Sequence, residues 1–194
     1  MDAPQTSQED LSQKLPRILT HEAGHAIVAW QSPLILKVQR VLVDPGRRRA
    51  DCKLHFRDYR SPSDHLERAV IAMGGMAAEE LRLGGFLAYI SAQDLDVATR
   101  SAYNARHLGM SWRRRPRPTA FYAQVQRYVP RDCQAFVEHA FALARRRLES
   151  RRDDLESLYE ELQRNRRFGR TVLSGFRLKT ILGRRPEAVR EGLR

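Results

Sequence analysis

Cysteine is scarce in this chain of 194 residues, and no run of apolar residues approaches the roughly 18 that a membrane-spanning helix needs. The two cysteines, Cys52 and Cys133, lie far apart and form no CxxC pair. Their spacing argues against a cysteine-rich metal site and suits a reducing compartment. The first residues also lack the basic start and apolar middle of a signal peptide. We therefore expect a cytoplasmic protein with no membrane span, in which both cysteines are packing thiols.

Lysine is rare as well, and the net charge of +12 is carried almost entirely by arginine. The arginines cluster at 47–49, 113–115, 145–147 and 164–170. Such clusters can bind nucleic acid, an anionic membrane surface or an acidic protein. No aromatic-rich RNA motif and no recognition-helix motif accompanies them. The favoured interpretation is therefore solvated helix faces, with nucleic-acid binding left open.

The remaining composition is that of one folded domain. Hydrophobic residues make up 42% of the chain and charged residues 30%, which excludes wholesale disorder. The length is sufficient to bury one core. We expect a polar tail over residues 1–15, a folded domain over 16–180 and a loose basic tail over 181–194.

The spacing of apolar residues predicts a mainly α fold with a small β-sheet, in the α+β class. A first helix is expected from Pro16 to just before Pro33. β-branched residues over 38–43, a turn signal at 44–46 and alternation over 52–56 predict a hairpin. The second strand should expose one face, as an edge strand does.

Further helices follow the hairpin. One is expected from Ser61, a strong helix start, to the stop at Gly84-Gly85. Another should begin near Asp94 and end at Gly109. The linker over 111–122 contains two prolines and four arginines and is expected to be a mobile surface loop. Two amphipathic helices should then carry apolar residues over 136–148 and 155–162.

The strongest chemical signal is the stretch "THEAGHAI", residues 20–27, which contains an HExxH motif within the first predicted helix. Residues four apart project from one face of a helix, so His21 and His25 can point two imidazole nitrogens at a point about 2 Å from each. That geometry suits zinc. Glu22 lies too far round the helix to be a comfortable ligand, yet it can reach a water on the metal. Glu22 is therefore the natural general base.

The motif by itself is only suggestive. Random placement of histidine and glutamate in this composition would produce HExxH in about one chain of this length in a hundred. The alternative is a pair of neighbouring histidines on an amphipathic helix. A catalytic zinc site also needs a third protein ligand, with a fourth position left for water.

Several segments, in order along the chain, resemble the peptidase domain of the FtsH family of membrane-bound, ATP-dependent zinc proteases. "HEAGHAIVAW" resembles the zinc helix, "GGMAAEEL" a second helix, and "SAQDLDVATRSAYNARHLGMS" the segment with the third ligand. "RADCKLHF" resembles the strand beside the substrate, and the helical pair over 136–162 resembles the C-terminal helices. The similarity runs from about Ile18 to about Leu178, which is far more specific than HExxH alone.

The resemblance implies that His21, His25 and Asp94 are zinc ligands and that Glu22 is the base. Asp94 also fits on physical grounds, since a carboxylate at a helix start can bind Zn²⁺ while the helix holds it. Asp96 is its competitor, and a plain N-cap is the alternative role for Asp94. Glu79 is a candidate acceptor for a ring N–H of a zinc histidine, with a solvated helix glutamate as the alternative.

The function implied is that of a zinc-dependent metalloendopeptidase acting on unfolded proteins or peptides, over a peptidase domain at 16–180. An extended peptide beside the strand at Cys52 to Phe56 would present its scissile bond to the metal by β-augmentation. The sequence has no G-x-x-x-x-G-K-[ST] phosphate loop, so we expect a free-standing peptidase without its own ATPase. The resemblance also implies a homo-oligomer, a hexamer in the family. The family carries an AAA+ ATPase on the same chain, so here an ATPase would have to act as a separate partner.

Two further points follow from the same segments. Asp51 and Cys52 stand where the family favours leucine and glycine, which predicts an altered substrate preference. The alternative function is a non-catalytic, zinc-stabilised adaptor that binds acidic proteins or nucleic acid through its arginine-rich surface. Glu22 favours the enzyme, because a structural zinc site has no need of a base.

Overall fold

A computed structural model of the chain describes residues 8–47, 49–111, 119–166 and 169–186, with side chains described from residue 14 onward. The fold is mainly helical with a three-stranded antiparallel sheet, which confirms the predicted class. The helices of the described chain are α1 Gln8–Trp30, α2 Pro62–Ala72, α3 Gly74–Leu83, α4 Ala92–His107, α5 Ala120–Val125, α6 Gln134–Glu149, α7 Arg152–Arg164 and α8 Gly175–Leu182. The strands are β1 Ile35–Asp44, β2 Arg49–Phe56 and β3 Thr171–Ser174.

Helix α1 runs through the centre of the molecule and is longer than predicted. It begins at Gln8 and continues through Pro16, which lies inside the helix. Proline removes one backbone hydrogen bond from the helix, and the burial of the rest of α1 offsets this loss. The Gln, Glu, Leu and Lys residues before Pro16 have high helix propensity. Every residue from Leu19 to Trp30 is buried. The HExxH motif therefore lies in a helix that is surrounded by the core.

The predicted hairpin is present and forms two thirds of the sheet. β1 pairs antiparallel with β2, from Ile35 opposite Phe56 to Asp44 opposite Arg49, and a short 3₁₀ turn at Pro45–Arg47 joins them. β3, which the sequence pattern did not reveal, pairs with the other side of β1. The strand order β2-β1-β3 leaves β2 at an edge of the sheet.

The single helix expected from Ser61 to Gly84 is in fact two helices that meet at Met73. Its start is as predicted, because Ser61 and Asp64 form a reciprocal capping box. Its end is also as predicted, at Gly84 with a φ of 74°. The break was missed because apolar spacing continues across it.

The later helices match the predicted pattern. α4 begins two residues before Asp94, and the chain turns at Gly109 with a φ of 90°. α6 and α7 pack their predicted apolar faces into the core. Of the linker predicted as a mobile loop, residues 112–118 and the arginines at 113–115 lie outside the described residues. The last part of that linker begins α5 instead.

The described part of the predicted C-terminal tail is attached to the domain. α8 extends to Leu182, and the Arg185 guanidinium donates hydrogen bonds to the carbonyls of Ala29 and Trp30 at 3.0 Å each, and to that of Ile35. Residues 187–194 and 1–7 lie outside the described residues, so the two tails stay predictions there. In the part of the chain that the structure describes, no helix combines the length and apolarity needed to cross a bilayer.

Candidate metal centre

Two histidines of α1 and one aspartate of α4 converge at a single point. The Nε2 atoms of His21 and His25 lie 3.0 Å apart. An Oδ2 atom of Asp94 lies 3.0 Å from the first of them and 3.4 Å from the second. Two atoms held tetrahedrally by one zinc ion would lie about 3.3 Å apart. The three donors thus have the identity and the mutual spacing that zinc requires.

The opposite nitrogen of each histidine ring is held by an oxygen acceptor. His21 Nδ1 lies 2.7 Å from Glu79 Oε1, and His25 Nδ1 lies 2.9 Å from the Ile71 carbonyl oxygen. Since neither oxygen can donate, both Nδ1 atoms must carry the proton. In the neutral rings, both Nε2 lone pairs therefore face each other and the Asp94 carboxylate. Such a cluster of acceptors is repulsive unless a cation lies between them.

The pKa shifts of His21, His25 and Asp94 also favour a cation among the three donors. Burial acts to lower the pKa of His21, but the hydrogen bonds with Asp94 and Glu79 outweigh it and raise this pKa to about 10. Burial also acts to lower the pKa of His25, but the nearby negative charge of Asp94 outweighs it and raises this pKa. The pKa of Asp94 is held well below its usual range, against burial, chiefly by the charge of His25. The centre of the site therefore favours positive charge.

Glu79 is completely buried, so the alternative of a solvated helix glutamate is excluded. One carboxylate oxygen faces His21, and the other accepts from Arg17 at 2.6 Å. Arg17 in turn donates to the Gly85 carbonyl at 2.8 Å. The backbone N–H of Leu87 lies 3.4 Å from the same Glu79 oxygen. Glu79 thus holds the His21 ring in one orientation and is itself held by Arg17.

Three glycines bring α1 and α3 close enough for this arrangement. A Cβ at Gly75 would lie 2.4 Å from the His21 ring, and a Cβ at Gly24 would lie 2.3 Å from the Gly74 carbonyl oxygen. This role of the three glycines was not predicted from the sequence. The Gly74-Gly75 pair inside an apolar helical pattern was the available signal, because paired glycines in a helix indicate a close approach.

Glu22 lies beside the three donors, directly after His21 on α1. It is 6% exposed, yet it makes no hydrogen bond or ion pair with another described residue. Burial raises its pKa, and the charges of His25 and His21 oppose this effect in part. A buried carboxylate normally has a partner. Among the described residues, Glu22 has none.

The site forms the floor of an open groove of about 1190 Å³. Its walls come from α1, β2, α2 and α4, and its lining includes Glu22, Cys52, Leu54, Phe56 and Arg68. Burial, together with the charge of Glu22, raises the pKa of the Cys52 thiol. β1 pairs with one edge of β2, so the other edge of β2 has no partner strand in the described sheet. β2 runs along the groove and lines it.

The competing residues lie elsewhere. Asp96 projects into solvent, where its carboxylate pairs with Arg100 at 2.5 Å. His55 contacts Gln39 at 3.0 Å, and His65 packs its ring against Tyr59. Neither histidine belongs to the cluster of donors that the described residues form.

Many arginines of the described chain bind other parts of the protein. Arg147, from one of the clusters, forms two bonds to Glu67 at 2.5 and 2.7 Å. Arg145 lies near Glu80 and Glu149 at 3.5 and 3.1 Å. Arg48 and Arg167 lie outside the described residues. The clusters are thus spread over several elements and partly neutralised.

Residues 11–166 match the model of peptidase family M41, and this range includes His21, Glu22, His25, Glu79 and Asp94. The chain belongs to peptidase family M41. The resemblance drawn from the sequence segments is thereby confirmed at the level of the family. Two relatives of this M41 chain, from Chlorobium luteolum and Rhodothermus marinus, are named ATP-dependent zinc metalloprotease FtsH, and each is 28% identical over 187 residues.

A further relative of the M41 chain, ATP-dependent zinc metalloprotease FtsH 1 of Methylacidiphilum infernorum, is 35% identical over 102 residues. That match covers 50% of this chain and 16% of the relative. The two longer matches cover 86% of this chain, which spans only 26% of each relative's length. Zinc is the metal in all three names, and it is also the metal that two imidazoles and a carboxylate suit.

Proposed function

We propose that this chain is a zinc-dependent metalloendopeptidase that hydrolyses peptide bonds in unfolded proteins or peptides. The observation that carries the proposal is the convergence of His21, His25 and Asp94 at the floor of an open groove. Membership of a peptidase family and the names of the relatives support the same activity. Zinc held by these three residues would supply Lewis acidity, which acidifies water and polarises a peptide carbonyl.

Glu22 acts as the general base and then as the acid. Its carboxylate accepts the proton of the attacking water and later delivers that proton to the leaving amine. The lack of any protein hydrogen bond to Glu22 among the described residues supports this role, because both carboxylate oxygens stay available. Its position directly after His21 on α1 keeps it beside the donors without joining them.

The peptide substrate binds along β2. This strand lies at the edge of the described sheet, and five of its residues line the groove: Ala50, Asp51, Cys52, Leu54 and Phe56. An extended peptide can add to such an edge through main-chain hydrogen bonds. Folded chains do not present free extended segments, so the substrates are unfolded proteins or short peptides. A separate AAA+ ATPase and a homo-oligomer stay predictions.

The alternative function, a non-catalytic zinc-stabilised adaptor that binds acidic proteins or nucleic acid, has less support than the peptidase. Arg147 is engaged with Glu67, and Arg145 lies between two glutamates, so these cluster residues are already neutralised. A structural zinc site would also have no use for a buried glutamate that, like Glu22, has no hydrogen-bond partner in the described part of the chain.

Replacement of Glu22 by Gln tests the proposed peptidase activity. We expect the parent protein to bind one zinc per chain and to cleave casein, and Glu22→Gln to retain zinc while cleavage falls at least about a hundredfold. Metal content by atomic emission and casein cleavage by gel give both readouts. Asp94→Asn should lose zinc and activity, whereas the matched change Asp96→Asn should lose neither.

Two results would contradict the proposal. One is a parent protein that takes up no zinc when refolded or dialysed with it. The other is undiminished cleavage by Glu22→Gln. The adaptor instead predicts salt-sensitive binding of DNA, RNA or an acidic protein that persists in Glu22→Gln. Measuring that binding by fluorescence anisotropy at low and high salt separates the two functions.

A further inference from the structure

Arg68 belongs to α2 and lines the groove near Phe56, the last residue of β2. Its guanidinium carbon lies 5.0 Å from the centre of the Phe56 ring and 5.2 Å from that of Tyr59. Arg68 and Phe56 both line the groove, and Arg68 is partly exposed. Contact with two aromatic faces holds the guanidinium in one place while its N–H donors stay free.

No carboxylate neutralises Arg68 among the described residues. The nearest acids along α2 are engaged elsewhere: Glu67 binds Arg147, and Asp64 accepts from Arg57 at 2.8 Å and from the capping backbone. Another arginine of the groove, Arg49, pairs with Asp51 at 2.9 Å. Arg68 is therefore a positioned cation that faces the groove without an acidic partner from the described chain.

Arg68 is also close to the metal centre in a defined direction. It lies three residues before Ile71, whose carbonyl holds His25. Residues three apart share one face of a helix, so the two are separated by about 4.5 Å along the axis. Along β2, Phe56 lies four residues from Cys52, which lines the groove beside Glu22. Four residues of strand span about 13 Å.

We propose that Arg68 determines specificity by binding an acidic side chain of the substrate. This inference rests on the proposed peptidase function. A peptide that pairs with β2 and has its scissile bond near Cys52 places a residue about four positions away beside Phe56 and Arg68. A glutamate or aspartate there forms a charge-assisted hydrogen bond with the free guanidinium. Substrates with an acidic residue at that distance are cleaved in preference to others.

The test uses peptides derived from a site that the parent protein cleaves in casein, identified by mass spectrometry. Glutamate or glutamine is placed singly at each position from two to five residues away, on both sides of the scissile bond. We expect kcat/KM of the parent to be roughly three- to tenfold higher for glutamate than for glutamine on one side, at the fourth position or next to it. Added salt should reduce this preference.

Variants then assign the preference to Arg68. Arg68→Gln should abolish the preference with unchanged zinc content, and Arg68→Lys should restore part of it. The matched control is Arg60→Gln, since Arg60 is 88% exposed and lies outside the groove lining. It should leave the preference intact. The same glutamate preference in Arg68→Gln, or none in the parent at any position, would overturn the inference while peptide cleavage itself stands. A parent that cleaves no peptide would instead refute the peptidase function.

Discussion

Glu79 is the residue for which the sequence left two roles open and the structure favours one, the acceptor behind a histidine. By spacing it is one of two adjacent glutamates on a helix, and either could face solvent. In the folded chain Glu79 is buried between His21 and Arg17, whereas Glu80 is partly exposed near Arg145. A carboxylate behind a zinc histidine fixes its tautomer and raises the basicity of the ligand.

Replacing Glu79 by Gln should therefore weaken zinc binding. Glutamine can still accept a hydrogen bond from His21 Nδ1, but it removes the negative charge that polarises the ring and pairs with Arg17. We expect zinc affinity to fall about ten- to a hundredfold, measured by competition with a chromophoric chelator. Glu80→Gln, the same change one residue on, should alter the affinity less than about twofold. Equal affinities of both variants and the parent would exclude this role for Glu79.

Among the elements, the crossing of α1 and α3 matters most to the site. Gly24 on α1 faces Gly74 and Ala78 on α3, so the two backbones approach without side chains between them. This approach brings Glu79 to the back of His21 and leaves room for the ring beside Gly75.

Gly24→Ala should separate these helices. The added methyl would lie 2.3 Å from the Gly74 oxygen and 2.5 Å from the Ala78 methyl, contacts that only a backbone shift can relieve. Overpacking of this kind costs about 1–3 kcal/mol of unfolding free energy, which urea denaturation measures. Gly46→Ala meets only an ordinary 3.6 Å contact and serves as the control. A Gly24→Ala protein as stable as the parent would show that the crossing tolerates a side chain.

The whole molecule is closed by a contact between distant parts of the chain. Arg185, just after α8, binds the carbonyls at the end of α1 and lies over the Trp30 ring, with 5.5 Å from guanidinium carbon to ring centre. The two carbonyls lie in the last turn of α1, whose final carbonyls lack intrahelical donors. The Ala29 carbonyl also accepts from the Ser32 N–H at 3.1 Å. Burial lowers the pKa of Arg185 from a value so high that the group stays charged.

Arg185→Gln should destabilise the chain by about 1–3 kcal/mol, because buried carbonyls lose charged donors. Thermal unfolding of the zinc-loaded protein, followed by circular dichroism, measures the change. The matched control is Arg184→Gln, since Arg184 is exposed and makes no hydrogen bond or ion pair with the described residues. If the two variants unfold at the same temperature, the contact at Arg185 contributes nothing to stability.

The features predicted correctly from the sequence are those that depend on neighbours along the chain. Ser61 and Asp64 cap α2 because their spacing alone forms the capping box. The hairpin follows from alternation and a turn signal, and His21 and His25 share a face because any helix brings residues four apart together. The features that were missed include β3 and the break at Met73. Both depend on contacts with α1 or β1 that no local pattern encodes.

The sequence alone determined which reactive groups lie together on one turn of α1: the imidazoles of His21 and His25 and the carboxylate of Glu22. It also placed them within segments typical of a known peptidase family. Only the tertiary structure decided that Asp94, rather than Asp96, lies against those imidazoles, and that Glu79 and the Ile71 carbonyl hold their far sides. It also decided that Arg68 faces the groove. The physical reason is that helix periodicity fixes neighbours within a turn, whereas the packing of separate elements selects partners that are distant in the chain.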